Sequence, residues 1–452
     1  MSFPSQSRLS MVLAALAGGA GILLAAVMAV GSLTGGSAGS VLFSFVILLL
    51  GFLAAGVVLV RRPMLQRSRY TLAAMLVLFL GLCLRLSLFD YQSPDYVSFL
   101  SVWTETMRHM TVREALTTPI GDYNMPYLYL ILLISRLPFY DVYCIKLFSV
   151  LADIASALAV GYLARQLCRD DRIVLLVFCA GLLCPTTWLN SAYWGQCDSI
   201  YGALALWGLY AGLRGRSKTS YLLFALSFSF KLQAIFLLPI LVFLLTSERI
   251  RLRDVWVFPA SFLGASLPAL LAGRSLSNTF SVYLSQAQAY PYLSLNAPSF
   301  WSLINNSFFD NLSGGPVLLA LTLALVLMVT LLLRGGRLEP KQLLSLGLIF
   351  SLMIPWTLPR MHERYFYLAE LLSLSYTAAY PRRAPVALGL MAGGYLCYSL
   401  YLFGGMPILS LQLVAAIYGL IILYLCSRLL RELPTNGGSP ANLKGGSNDE
   451  ST

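Results

Sequence analysis

Two carboxylates stand out in the first long polar stretch of the chain, Phe89–Met125, which lies between two strongly apolar segments. Asp90 and Asp95 both follow closely on the first of these segments. A carboxylate in that position can act as a general base or hold an acceptor hydroxyl group. The same residues also fit an ordinary helix start, because Ser93-Pro94-Asp95 before an apolar run is a typical N-terminal pattern. The sequence leaves both interpretations open.

Two further polar turns carry acids beside aromatic and amide groups. The first, GDYNMP, contains Asp122 and Tyr123, and the second, NSAYWGQCD, contains Trp194, Gln196 and Asp198. The second turn joins two apolar segments and has the groups that a sugar or lipid-headgroup pocket needs. An aromatic belt at a membrane surface would have a similar composition. Taken alone, GDYNMP is typical of a simple turn.

A dense cationic turn, PRMHERYFY, brings Arg360, His362 and Arg364 together between two apolar segments. Arginine recognises phosphate and pyrophosphate well because its planar fork can bind two oxygens at once. Lys231 lies in the middle of another apolar segment and offers a further phosphate contact, although a lysine there can also extend its charged end to the membrane surface. Phosphate binding is the function that these residues predict.

The composition indicates a membrane protein that must hold these polar clusters at one surface. Of the 452 residues, 58% are hydrophobic and 11% are charged, and the mean hydropathy is +0.75. Soluble domains contain about 25% charged residues. The net charge of +12 comes from short basic clusters between apolar runs. That pattern marks cytoplasmic loops and does not indicate nucleic-acid binding.

The spacing of apolar runs predicts an all-α, polytopic membrane protein of about 13 transmembrane helices, with both termini in the cytoplasm. Residues 125–137 are too short to span and predict an interfacial or re-entrant helix, and 219–245 predicts a bent pair with Lys231 near the outer face. Asp153 lies within a span and is expected to be structural, paired with Lys146 or an amide. The predicted regions are two accessory helices (1–69), a catalytic core (70–380), two C-terminal helices (381–427) and a disordered cytoplasmic tail (428–452). The outside loops of the core are predicted at about 90–142, 191–198, 273–313 and 359–364, and the first of them should contain juxtamembrane helices.

Taken in order, these motifs resemble the GT-C superfamily of integral-membrane glycosyltransferases. The closest resemblance is to the bacterial relatives of the mannosyltransferase that adds the second mannose to GPI anchors. The resemblance lies within about residues 80–380 and is carried by SPDYVSFLSVW, DYNMPYLYL, KLFSVLADI, NSAYWGQCDSIYGAL, KLQAIFLLP and PRMHERYFY. Lys231-Leu232-Gln233 departs from the Lys-Pro-Gln of the family, and Tyr123-Asn124-Met125-Pro126 from its Tyr-Pro-Pro.

The resemblance implies an inverting transfer of a hexose, mannose in preference to glucose, from a polyprenyl-phosphate sugar on the non-cytoplasmic face. It implies that Asp95 is the catalytic base, with Asp90 as a rival. The remaining residues that it assigns to substrate binding are Trp103, Asp122, Tyr123, Trp194, Gln196, Asp198, Lys231, Gln233, Arg360, His362, Glu363, Arg364 and Tyr365. The implied acceptor is a lipid-linked glycan, a cell-envelope component or a protein, in a bacterial inner or plasma membrane.

Two other classes of protein fit parts of the pattern. A transporter or flippase for a lipid-linked sugar predicts polar residues along a path across the membrane and two related halves, whereas the clusters here gather at one face. A membrane polysaccharide polymerase or ligase predicts its arginines and histidine in one large late loop. The sequence shows no histidine-rich, cysteine-rich or HExxH metal motif. A divalent cation held by two acids stays open, and the donor substrate is the only other small-molecule requirement that we expect.

Overall fold

The computed structural model describes residues 37–288, 290–312, 314–334, 336–404 and 408–433. The described residues are almost entirely helical, with two strands of two residues each, which supports the all-α class. The first predicted span and residues 434–452 of the predicted tail lie outside the described residues, whereas residues 428–432 of that tail are helical. The α-helices of the described residues are α1 (Ser37–Arg61), α2 (Ser68–Leu86), α3 (Ser101–Arg108), α4 (Val112–Thr117), α5 (Met125–Ile134), α6 (Asp141–Leu167), α7 (Asp171–Leu183), α8 (Pro185–Trp188), α9 (Asp198–Leu213), α10 (Ser217–Phe230), α11 (Ile240–Thr246), α12 (Val257–Ala272), α13 (Leu276–Gln288), α14 (Phe309–Leu312), α15 (Gly315–Arg334), α16 (Pro340–Thr357), α17 (Tyr367–Ala379), α18 (Ala384–Phe403) and α19 (Leu411–Glu432).

Eight helical segments of the described ranges are long and apolar enough to cross a membrane. Their burial separates a centre from a rim. The most apolar part of α6 is 78% buried, whereas that of the segment containing α12 is 11% buried and that of α15 is 17% buried. An apolar helix that other helices cover on all sides belongs to the core, and one that exposes leucine on most of its surface faces lipid. The protein is therefore an integral membrane protein built around α6, and the predicted number of 13 spans stays a prediction.

Buried charges fix the elements that lead to the polar loops. Arg85 of α2 donates to Asp153 of α6 at 2.7 Å, and both side chains are fully or almost fully buried. The prediction that Lys146 or an amide partners Asp153 is wrong in its choice of cation. Lys146 instead donates to the carbonyls of Leu88, Phe89 and Tyr91, at 2.6–3.0 Å. Those carbonyls lie just after the end of α2, where a cation is favoured by the helix dipole.

One short helix and one helix break correspond to features that the sequence predicted. The segment 125–137 forms the ten-residue helix α5. The segment 219–245 is interrupted, because α10 ends at Phe230 and Lys231 has extended backbone angles before a 3-10 turn, Leu232–Phe236. The break places the Lys231 side chain at an interior helix end, where it can meet a partner from another element.

A parallel pairing joins two loops that the sequence predicted to lie outside. Strand β1 (Ser294–Leu295) pairs with β2 (Met361–His362), and the backbone N–H of Arg360 donates to the carbonyl of Leu293 at 3.0 Å. Arg360 has a φ of 63°, a left-handed conformation that is uncommon for a residue with a side chain. The loop that follows α13 is thereby attached to the turn that carries His362 and Arg364.

Candidate active site

Asp95 lies in the first turn of a helix that begins just before it, as the simple helix-start interpretation also predicts. The hydroxyl of Ser93 accepts from the backbone N–H of Tyr96 at 3.2 Å and donates to the carbonyl of Trp194 at 2.6 Å. Ser93 therefore caps the helix and attaches it to the 190–198 turn. Because serine satisfies the helix end, the carboxylate of Asp95 is left for other partners.

Three donors converge on the Asp95 carboxylate. Trp194 Nε1 donates to Oδ2 at 3.0 Å, and Gln196 Nε2 donates to the same oxygen at 2.6 Å. The hydroxyl of Tyr401, on α18, donates to Oδ1. A carboxylate accepts about four hydrogen bonds in all. This set holds Asp95 in one orientation and fills most of its accepting positions.

The turn that supplies two of these donors has an unusual backbone. Residues Leu189–Trp194 form a π-helix, which is rare and often found at functional sites. Gly195 then takes a φ of 82°, which suits glycine because it lacks a Cβ. This bend turns the chain so that Trp194 and Gln196 point to the same carboxylate.

A second acid, Asp198, organises the cations behind the cavity. It is fully buried and receives Lys231 Nζ at 2.5 Å and Asn190 Nδ2 at 2.9 Å. Arg364 Nε lies 4.0 Å from its other oxygen. Lys231 is therefore neutralised by Asp198, while Arg364 stays at a longer distance.

Arg364 and His362 offer unsatisfied polar groups. Arg364 lies over the Trp194 ring, with Cζ 5.0 Å from the ring centroid, and its Nη1 is 3.6 Å from Glu363 Oε1. Within the described residues, Arg364 Nε and His362 Nε2 are buried without a hydrogen-bond partner. Burial lowers the pKa of His362 well below its usual value, and Arg364 and Lys231 lower it further. His362 is therefore a neutral imidazole at pH 7, beside a guanidinium that has no hydrogen-bond partner at Nε among the described residues and lies 3.6 and 4.0 Å from its two nearest carboxylates.

These groups surround a cavity of about 280 Å³. The side chains that line it are Asp95, Phe99, Leu100, Trp103, Asp122, Tyr123, Gln196, Tyr290, His362, Arg364 and Tyr401. Gly121 has a φ of 64°, and a Cβ there would come within 2.6 Å of the Trp103 ring. Removal from water raises the pKa of the Asp122 carboxyl, and Arg364 and Lys231 oppose that rise. The cavity thus combines the carboxyl groups of Asp95 and Asp122, the guanidinium of Arg364 and several aromatic faces.

The structure brings most of the predicted residues together, some in the cavity wall and others behind it. Trp194, Asp198, Lys231 and Glu363 support the wall from behind, and the ring of Tyr365 packs 5.2 Å from that of His362. Three predicted residues lie elsewhere. Asp90 accepts a hydrogen bond from Tyr143, Arg360 lies over the Phe309 ring, and Gln233 is buried in the 3-10 turn after Lys231.

Tyr401 and Tyr290 line the cavity, although the sequence did not single them out. Tyr290 packs against His362 with ring centroids 5.1 Å apart. Tyr401 belongs to a C-terminal helix that the sequence predicted to lie outside the catalytic core. Tyrosine is abundant in this chain, so its type carried no signal. Among the described residues, no group of three or more His, Cys, Asp or Glu side chains is placed to hold a metal ion.

Comparison with known proteins places the chain in a family. No curated protein sequence matches the chain. The family model described as glycosyltransferase family 87 matches residues 123–374, which is more than half of the chain. The matched segment contains the turn with Trp194 and Gln196, Lys231 and the turn with His362 and Arg364. Asp95 precedes it and Tyr401 follows it. With this match and its apolar helices, the protein belongs to glycosyltransferase family 87.

Proposed function

We propose that the protein is an inverting glycosyltransferase of the GT-C type. It moves a hexose, mannose in preference to glucose, from a polyprenyl-phosphate sugar to a lipid-linked or cell-envelope acceptor on the non-cytoplasmic face. The observation that carries the proposal is the shared cavity, in which the oriented carboxylate of Asp95 and the guanidinium of Arg364 line the same space. One group can take a proton and the other can hold an anion.

In the proposed reaction, the acceptor hydroxyl donates its proton to Asp95 while its oxygen attacks the anomeric carbon of the donor sugar. The bond between that carbon and the phosphate oxygen breaks, and its electron pair stays with the lipid phosphate. Inversion requires a single base on the side of attack. The leaving phosphate needs no strong proton donor when a cation stabilises its charge, as in an oxyanion hole.

Arg364 is the cation best placed for the phosphate, because its Nε has no hydrogen-bond partner within the described part of the chain. Neutral His362 can donate one further hydrogen bond. Lys231 contributes mainly through Asp198, since their 2.5 Å ion pair uses its charge. Trp103 and Tyr123 offer ring faces to the sugar, and Asp122 and Gln196 can orient its hydroxyl groups. No step in this reaction is assigned to a metal ion.

The test is transfer by purified protein in detergent from radiolabelled polyprenyl-phosphate mannose and polyprenyl-phosphate glucose. We expect label to move to an acceptor or to water with the wild type. The Asp95→Asn variant should lose at least about 100-fold in rate, the usual contribution of a general base. Asp90→Asn is the matched control, because Asp90 contacts Tyr143 and should keep activity within a few-fold of wild type.

Two results would contradict the proposal. Near-normal turnover by Asp95→Asn would remove the assignment of the base. No transfer from either donor, with tight lipid binding by both proteins, would favour a flippase.

A further inference from the structure

The hydrogen bonds of Asp95 leave one accepting position. Oδ2 receives both Trp194 Nε1 and Gln196 Nε2, which fills its two lone pairs. Among the described residues, Oδ1 receives only the hydroxyl of Tyr401. The second lone pair of Oδ1 is therefore the position from which the carboxylate can accept a proton from a molecule in the cavity.

We infer that Tyr401 is a positioning residue, which holds Asp95 so that this lone pair of Oδ1 faces the acceptor hydroxyl. The inference rests on the proposed role of Asp95 as the base. It adds a function for α18, a helix outside the segment that matches the family model. Phenol hydroxyls are protonated at neutral pH, so Tyr401 is a donor throughout the working range.

The ring and the hydroxyl of Tyr401 have separate tasks. The ring stacks on Trp194, with centroids 4.7 Å apart and planes inclined by 26°. The hydroxyl reaches across to Oδ1. The residue is 36% exposed, so its packing depends on the Trp194 face more than on enclosure. Removing the hydroxyl alone should therefore leave the stacking in place.

The helix itself is anchored one turn earlier. Tyr398 is fully buried, receives a hydrogen bond from Asn190 Nδ2 at 3.1 Å, and packs edge-on against Trp194 at 5.5 Å. Asn190 also donates to Asp198. Helix α18 is thus attached to the same π-helical turn that carries the other donors to Asp95. These contacts fix the position of α18, and therefore of Tyr401, relative to that turn.

The experiment compares Tyr401→Phe with Tyr395→Phe, which changes an exposed tyrosine on the same helix, and with Asp95→Asn. Single-turnover transfer from the radiolabelled polyprenyl-phosphate sugar measures the chemical step, and binding of the unlabelled donor measures the ground state. We expect Tyr401→Phe to be about 10- to 100-fold slower, the usual effect of a hydrogen bond to a charged group. Donor affinity and thermal midpoint should stay close to wild type, and Tyr395→Phe should behave as wild type.

Two outcomes overturn the inference. One is a Tyr401→Phe rate within twofold of Tyr395→Phe. The other is a loss of rate matched by losses of donor affinity and thermal midpoint, since that describes a structural role. If Asp95→Asn keeps its activity, the proposed function fails instead. The combination of an inactive Asp95→Asn and a normal Tyr401→Phe removes only the role of Tyr401.

Discussion

Glu363 is an acid that is buried beside the cation of the proposed phosphate site. Its side chain is 1% exposed, and burial raises its pKa to about 7, although Arg364 lowers it. Below pH 4.5 the group is protonated in the folded and the unfolded chain. Between about pH 4.5 and 7 the unfolded chain ionises first, so the stability of the folded state decreases as the pH rises through this window.

We predict that Glu363→Gln weakens this dependence. The shift of the pKa from 4.5 to about 7 corresponds to roughly 3 kcal/mol of stability lost between those pH values. The thermal midpoint of the wild type in detergent should fall more from pH 5 to pH 8 than that of Glu363→Gln. Asp122 contributes in the same direction in both proteins, since its pKa is also raised. Parallel curves for the two proteins would show that Glu363 does not titrate in this range.

The ionisable residues of the site were easier to predict from the sequence than the tyrosines. Asp95, His362 and Arg364 attract notice because charged groups beside apolar segments are costly and need a function. Tyr401 does not, because a tyrosine at the end of an apolar helix is common at membrane surfaces. It also lies 306 positions from Asp95, so only the packing of α18 on the 190–198 turn brings them together. Our preference for Asp95 over Asp90 likewise depends on the contact between Asp90 and Tyr143.

Among the helices, the buried pair of Arg85 and Asp153 connects α2 to α6 and then to the active-site turn. Asp153 also accepts from the hydroxyl of Ser191, and Arg85 also donates to the carbonyl of Leu182 at 2.8 Å. Ser191 lies in the π-helix that carries Trp194. The pair therefore supports the turn that supplies donors to Asp95.

We predict that Arg85→Met destabilises the protein by about 3 kcal/mol, because it leaves an acid buried without its cation. The double variant Arg85→Met/Asp153→Asn should recover part of this loss, since it removes both charges. Arg69→Met, an exposed arginine of the same helix, is the control and should change the thermal midpoint little. A double variant that is no more stable than Arg85→Met would mean that packing of the Arg85 side chain, rather than its charge, stabilises this contact.

The helices differ in how far their sequence specified them. The break at Lys231 was predictable, because a lysine in an apolar run needs a polar partner. The π-helix Leu189–Trp194 was not, because it is stabilised by contacts from other elements. Lys146 and Asp153 are seven positions apart on one helix, beyond the three- or four-residue spacing at which side chains of a helix pair. The carbonyls after α2 compete for Lys146, and Arg85 comes from another helix altogether.

For the molecule as a whole, the basic clusters predict which end of the bundle faces the cytoplasm. His109 lies in the first outside loop of the predicted topology and Lys218 in a cytoplasmic one, and both are exposed. The cavity lies at the end of the bundle that includes the first loop. If the predicted topology holds, the proposed donor and acceptor meet on the non-cytoplasmic side.

We predict that a cysteine at position 109 reacts with a membrane-impermeant maleimide in intact cells, in a variant whose eight native cysteines are replaced. A cysteine at position 218 should react only after the membrane is opened, because the positive-inside rule places it in the cytoplasm. The opposite labelling pattern would reverse the topology and place the cavity in the cytoplasm.

The pairing of β1 with β2 joins two segments that are far apart in the sequence through their backbones. A displacement of the loop after α13 would also displace the backbone of Met361 and His362, since Ser294 and Leu295 are their partners. The same loop contributes Tyr290 to the cavity wall. We therefore expect a change in this loop to affect the turn that carries His362 and Arg364 through the main-chain pairing. Cleavage of that loop should weaken the proposed contact of Arg364 with the leaving phosphate. It should leave the proposed base, Asp95, in place, because the hydrogen-bond donors to Asp95 come from the 190–198 turn and α18.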